Sequence, residues 1–157
     1  MAVDEGVGPA AEPGVDVGQA EPTDAQAYVD GMVRRRGYAL DYHKIMAAAD
    51  FDLLVAADRL VDAAYLKQRL LDRRTKELLF ILSLTVLRAP KEHIRSHIRV
   101  ALDLGVDSTE ILEAIEIALP EAGVVSFQWG VEAWADVVDP PLLEPTPAAF
   151  AASASDE

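Results

Sequence analysis

Apolar residues recur at intervals of three and four positions from about residue 23 to residue 138, and no segment shows the strict alternation of a β-strand. The first spacing puts apolar side chains on one face of a helix, whereas alternation puts them on one face of a sheet. The pattern is interrupted at Gly37, Pro90, Gly105 and Pro120, and these residue types commonly begin or end helices. The sequence therefore predicts an all-α fold, a compact bundle of six helices.

The six helices are predicted at about 23–36, 41–68, 72–87, 90–105, 107–119 and 122–138, with Asp50 as the position where the second would break. Residues 107–110 have the pattern of a capping box, which satisfies the first backbone N–H groups of a helix. The third helix contains a run from Leu78 to Leu87 that is apolar on all sides. Since a membrane span needs about 20 residues, this run predicts a buried central helix or an oligomer contact.

The two ends of the chain differ from this helical region, which we predict to be one domain over residues 23–138. Residues 1–22 are rich in Gly, Ala, Pro and acidic residues without apolar periodicity, a composition typical of a disordered arm. Four prolines lie between Asp139 and Pro147, so residues 139–157 are predicted to be a Pro/Ala-rich tail. The acidic N-terminus is not followed by an apolar segment, so we expect no secretory signal and a cytoplasmic protein.

Charge and cysteine content exclude several functions. The formal net charge is −13, which opposes binding to nucleic acid or to an anionic membrane surface. The chain has no cysteine, so disulfides, thiolate catalysis and thiolate metal sites are all excluded. Any acid, base or metal chemistry depends on His, Asp and Glu.

Two of the three histidines, His93 and His97, lie four residues apart. Helical residues at this spacing share a face, so both imidazoles can point into one site. A histidine pair with a carboxylate from Glu77 or Glu121 is also geometrically competent to bind divalent iron, manganese or zinc. A metal-dependent enzyme is therefore one alternative for this chain.

Four segments resemble the carboxymuconolactone decarboxylase family in their order and spacing: Leu71–Leu78, His97–Val106, Glu110–Ala114 and Ala122–Gly123. The resemblance covers roughly residues 70–134, and residues 41–68 are similar to the family's leading helices more loosely. It implies an alkylhydroperoxidase-D-like fold that assembles into homotrimers or hexamers. It also implies a carbon–carbon lyase that decarboxylates a carboxylated muconolactone in aromatic-acid catabolism.

Peroxidases of the same superfamily place a Cys-x-x-Cys motif one helical turn before the family histidine, which His97 matches. In this chain Pro90 and His93 stand at the two cysteine positions. A peroxide-reducing dithiol cannot be replaced by imidazole, so we expect a member of the family that is not a peroxidase.

The resemblance also implies roles for single residues. His97 matches the family histidine and is the candidate general acid, and Glu77 matches a glutamate that would orient it and tune its charge. His93 would bind the substrate carboxylate or complete a proton relay. Glu121 stands where the family commonly has tyrosine, and it would add a carboxylate to the pocket.

Two aromatic residues complete the candidate site. Trp129 lies off the apolar stripe of the last helix, so it is a candidate wall for a ring-shaped substrate. Tyr42 is a second candidate substrate contact, although no motif places it in the site.

Decarboxylation of such a lactone needs no metal or organic cofactor, because electrons released by the departing carboxylate spread onto the lactone carbonyl. The protein has to supply a donor near that carbonyl and a proton for the ring carbon. We therefore expect a small anionic substrate, no cofactor and no resident metal. A further alternative is an oligomeric scaffold or ligand-binding protein without catalytic activity.

Overall fold

The computed structural model describes residues 22–143, so the predicted arm lies almost entirely outside the described residues, as do residues 144–157 of the tail. Within the described range the chain forms helices and no strand, which confirms the all-α prediction. The elements are α1 Pro22–Arg36, α2 Asp41–Ala49, α3 Phe51–Val61, a π-helical turn Asp62–Leu66, α4 Arg73–Val86, α5 Lys91–Asp103, α6 Ser108–Glu116, α7 Ala118–Ala122 and α8 Val124–Val138.

Two of the six predicted helices are divided in the structure. The second is broken at Asp50, whose side chain accepts a hydrogen bond from the backbone N–H of Leu53 and so caps the start of α3. The fifth continues beyond Glu116 as the short α7. The predicted capping box is confirmed, since Asp107 accepts from the N–H of Thr109 and Glu110 accepts from the N–H of Asp107. No helix within residues 22–143 is long and apolar enough to cross a membrane.

The chain divides into two compact units, one up to Ala64 and one from Tyr65 onward. The single domain over residues 23–138 stays a prediction. In the first unit a buried carboxylate, Asp58, accepts hydrogen bonds from Arg35, Arg36 and the Tyr28 hydroxyl. These bonds offset the cost of removing the carboxylate charge from water.

The second unit has its own apolar core, built from one face each of four helices. The predicted apolar run is not buried on all sides, since Leu79, Phe80 and Leu87 are exposed. Only one side of α4 faces the core. The buried members of the core are Ile81 and Leu84 from α4, Ile94, Ile98 and Ala101 from α5, Val106, Ile111 and Ile115 at α6, and Ala133 from α8.

Gly130 sets the separation between α8 and α4. A Cβ atom placed on Gly130 would lie 2.5 Å from Thr85 Cγ2 and 2.9 Å from Ile115 Cγ2. Real Cβ atoms do not approach other heavy atoms so closely, so any larger residue forces the helices apart. Since α4 also carries Glu77, this contact supports the geometry of the site described below.

We expect Gly130→Ala to lower the free energy of unfolding by about 1–3 kcal/mol, because the added methyl group overpacks the α4–α8 contact. Chemical denaturation of both proteins measures the difference. Gly31→Ala on α1 is the matched control: its new Cβ meets only the flexible ends of Arg35 and Arg34. The control is expected to be neutral or stabilising by up to about 1 kcal/mol. Equal stability of Gly130→Ala and the unaltered protein would show that the close approach is unimportant.

Candidate functional site

The beginning of α4 positions a carboxylate in the interior of the second unit. Asp72 caps this helix by accepting a hydrogen bond from the backbone N–H of Thr75 at 2.8 Å. Glu77 follows one turn later, and its residue exposure is 0%. The ammonium group of Lys76, the residue before Glu77, donates hydrogen bonds to the carbonyl oxygens of Tyr65 and Lys67 at 2.9 and 3.0 Å. This lysine therefore ties the π-helical turn to α4.

His97 on α5 meets this carboxylate directly. Its Nδ1 lies 2.7 Å from Glu77 Oε2, and its own exposure is 1%. Because an ionised carboxylate only accepts hydrogen bonds, Nδ1 is the protonated donor in this contact. The bond orients the imidazole ring and leaves Nε2 as the nitrogen for exchange of a proton with a ligand.

Tyr65 and Arg73 donate hydrogen bonds to the second oxygen of the same carboxylate. The Tyr65 hydroxyl donates to Glu77 Oε1, and Arg73 Nε donates to that oxygen at 2.6 Å. Arg73 Nη2 also donates to the Tyr65 hydroxyl at 2.8 Å, and the guanidinium carbon lies 4.1 Å from the centre of the Tyr65 ring. The Tyr65 hydroxyl is 3.5 Å from His97 Nδ1. The four side chains form one hydrogen-bonded group.

These contacts determine the charge of the group. Burial by itself would raise the pKa of Glu77, but hydrogen bonds from His97, Tyr65 and Arg73 outweigh it and hold that pKa below its ordinary value. The carboxylate is therefore ionised at neutral pH, and the Arg73 guanidinium balances its charge.

His93 lies one helical turn before His97 on the same face of α5. The ring centres are 5.3 Å apart and the planes are inclined by 35°. Burial first, and then the charge of His97, lower the pKa of His93 from 6.5 to about 4. At neutral pH His93 is uncharged, so it can offer a substrate a hydrogen bond but not a cation.

Phe80 forms the aromatic side of this group. Its ring is stacked on the His97 imidazole, with centres 4.8 Å apart and planes inclined by 10°. It also meets the Tyr65 ring edge to face at 4.8 Å and 73°. Phe80 is three residues beyond Glu77, so one face of α4 supplies both the carboxylate and the apolar ring.

The structure brings together Glu77, His93 and His97 among the residues expected from the sequence. The carboxylate of Glu121 is exposed on α7, in contrast to that of Glu77. Trp129 donates its indole N–H to the carbonyl oxygen of Ala89 at 2.8 Å, which explains its position as packing of α8 on the α4–α5 turn. Tyr42 belongs to the first unit, where it is exposed and its ring lies 3.9 Å from that of His43. Catalytic or binding roles for these last three residues remain predictions.

Three contributors to the site were missed by reasoning from the sequence: Tyr65, Arg73 and Phe80. The four-residue spacing between Arg73 and Glu77 was a signal for an ion pair on one helical face. Tyr65 lies within the predicted second helix, and Phe80 lies within the apolar run Leu78–Leu87, and neither pattern marks a site residue. No group of three or more His, Asp or Glu side chains within residues 22–143 is arranged to hold a metal ion.

Comparison of the sequence with known protein families gives a match that covers the site residues. Residues 52–136 match the Carboxymuconolactone decarboxylase family profile, and this match is more than half of the chain and includes Tyr65, Arg73, Glu77, His93 and His97. The chain therefore belongs to the carboxymuconolactone decarboxylase family, which confirms the resemblance inferred from the sequence motifs. A search of curated proteins found no significant match.

The lowered pKa of His93 predicts a specific pH dependence of stability. Between pH 6.5 and about pH 4 the unfolded chain takes up a proton at this residue while the folded protein does not, so acidification favours unfolding over this interval. We expect His93→Gln to lose less stability than the unaltered protein as the pH falls from 6.5 to about 4. Above pH 6.5 the difference between the two proteins is expected to be constant. Urea unfolding at several pH values measures both curves, and parallel curves across the whole range would contradict the assignment.

Proposed function

We propose that this protein is a cofactor-free decarboxylase, or a related lyase or isomerase, that acts on a carboxylated lactone or similar ring acid with His97 as its general acid and base. The observation that carries the proposal is the buried Glu77–His97 pair. An oriented imidazole in a low-dielectric site, with an anion on its far nitrogen, is suited to transfer a proton at neutral pH. Membership of the family supports the same class of activity.

The proposed reaction follows from the electronic structure of the substrate. The bond between the ring carbon and its carboxylate breaks, carbon dioxide leaves, and the electron pair spreads through the double bond onto the lactone carbonyl. The resulting enolate takes one proton at the carbon next to that carbonyl. One proton is consumed for each carbon dioxide released, so the reaction needs a proton donor and no external electron acceptor.

His97 is the proposed donor of that proton. Its Nε2 takes a proton from solvent and passes it to the ring carbon, while Nδ1 stays bound to Glu77 Oε2 at 2.7 Å. The carboxylate stabilises the imidazolium before the transfer. Tyr65 and Arg73 act through Glu77, because their hydrogen bonds hold its other oxygen in place.

His93 and Phe80 are the proposed substrate contacts beside His97. An uncharged His93 hydrogen-bonds a polar group of the substrate, and the Phe80 ring offers an apolar surface to a flat ring. A carboxylate held against such a surface loses solvation, which favours its departure as neutral carbon dioxide. The formal net charge of −13 favours a substrate with few negative charges.

We further propose that the protein works as a homotrimer or hexamer. The support is the exposure of large apolar side chains in the second unit: Leu87, Val124 and Val125 are 75%, 64% and 56% exposed. Exposed apolar surface favours association.

Substitution of His97 by glutamine tests the proposal. A screen of carboxylated lactones and related ring acids, followed by release of carbon dioxide, first identifies a substrate. We then expect His97→Gln to lower kcat by about 10²- to 10⁴-fold, because the proton donor is lost, while the assembly mass stays the same. Glu77→Gln should also lower kcat, and Glu113→Gln makes the same chemical change at an exposed carboxylate of α6 and should not.

Several outcomes would contradict the proposal. Full activity of His97→Gln would remove the proposed role of this residue. Release of carbon dioxide from no compound in the screen would remove the decarboxylase proposal, and tight binding without turnover would favour the ligand-binding alternative. Activity that is lost on chelation and restored by a divalent ion would favour the metal-dependent alternative.

A further inference from the structure

Solvent exposure changes sharply across the group of side chains around His97. Glu77, His97 and Tyr65 have exposures of 0%, 1% and 2%. Phe80 contacts both His97 and Tyr65, yet it is 37% exposed. Phe80 is therefore in contact with solvent on one side and with the buried imidazole on the other.

The stacking geometry shows what the Phe80 ring covers. Its plane is within 10° of the His97 plane at a centre-to-centre distance of 4.8 Å, so it lies over one face of the imidazole. His97 has almost no exposure in this arrangement. A substrate that exchanges a proton with His97 therefore requires a rearrangement around the imidazole.

Phe80 is well suited to be the side chain that moves. Its ring position is set by two torsion angles, and its exposed part has no packing to lose. Its ring contacts within the described residues are one stacked ring and one edge-to-face ring, and aromatic contacts of this kind are individually weak. Glu77, by comparison, is held by three hydrogen-bonding partners, so the catalytic pair can stay in place while Phe80 rotates.

We infer that Phe80 controls access to His97 and is a specificity-determining residue of this site: its ring covers the imidazole when no substrate is bound and limits the size and shape of the ring that reaches it. This inference rests on the proposed role of His97 in proton transfer. Rotation of Phe80 opens a path from solvent to the imidazole. The displaced aromatic face then becomes a wall against which a flat substrate ring packs.

Acylation of histidine by diethyl pyrocarbonate tests the access step without any substrate. An unprotonated imidazole nitrogen attacks one carbonyl carbon of the reagent, and the other half of the reagent leaves as ethanol and carbon dioxide. Trypsin cleaves after Lys91, Arg95 and Arg99, so His93 and His97 fall in different peptides and their modification is measured separately by mass spectrometry. His43, which is buried in the first unit, is an internal reference.

We expect Phe80→Ala to increase the rate of acylation at His97 by about two- to tenfold, the population change that corresponds to loss of one aromatic stack. Leu79→Ala is the matched control, because it removes an exposed apolar side chain of the same helix, and it should leave the rate unchanged. Phe80→Leu retains apolar bulk without the stacked ring and should give an intermediate rate. It also keeps the test decisive if Phe80→Ala does not fold.

Equal acylation of His97 in the unaltered protein, Phe80→Leu and a folded Phe80→Ala would overturn the inference. An equal increase in Leu79→Ala would also overturn it, because that result would reflect general loosening of α4. These measurements do not depend on turnover, so they remain valid if no lactone is decarboxylated.

Where a substrate is found, the specificity role of Phe80 can be tested by comparing kcat/KM for an unsubstituted lactone with kcat/KM for one that has a bulky ring substituent. Phe80→Ala should reduce the ratio between these two values. Leu79→Ala should leave the ratio unchanged.

Discussion

The negative charge of a carboxylate without solvent contact must be stabilised by hydrogen bonds from the protein. In this chain the residues that stabilise the Glu77 carboxylate are the residues that form the site. Removal of a charge from water is costly unless partners replace the lost hydration. Glu77 has three such partners: His97 on one oxygen, and Tyr65 and Arg73 on the other. Because each partner comes from a different segment, the need to satisfy one carboxylate brings the π-helical turn, the start of α4 and the middle of α5 together.

The helical packing supplies the rigidity that this arrangement needs. The core of the second unit joins α4, α5, α6 and α8 through close-packed aliphatic side chains, and Gly130 allows α8 to approach Thr85 on α4. Asp72 fixes where α4 begins, which in turn fixes the angular position of Glu77 and Phe80 on the helix. The His97 imidazole and the carboxylate that orients it are thus held by the scaffold, whereas Phe80 lies at the surface of the group.

Local sequence patterns were sufficient to predict the fold class, the break at Asp50 and the capping box, because each depends on neighbours within one or two turns. The proximity of Glu77 and His97 was inferred only through the family resemblance, since contacts between helices depend on packing that periodicity does not encode. Tyr65 was missed because a π-helical turn shifts the angular register of the side chains that it contains. Phe80 was missed because an apolar run looks the same in sequence whether its sides are buried or exposed. Glu121 was chosen from its place in the family pattern, Trp129 from its position off the apolar stripe, and Tyr42 without a motif, and none of these grounds determines where a side chain points.

The position of the proton on the His97 ring can be observed by proton–nitrogen NMR of the folded protein at neutral pH. We expect a proton on Nδ1, shifted strongly downfield by its hydrogen bond to the Glu77 carboxylate, and loss of that shift in Glu77→Gln. A ring whose Nδ1 carries no proton, or a spectrum that is the same in Glu77→Gln, would contradict the orientation of His97 by Glu77.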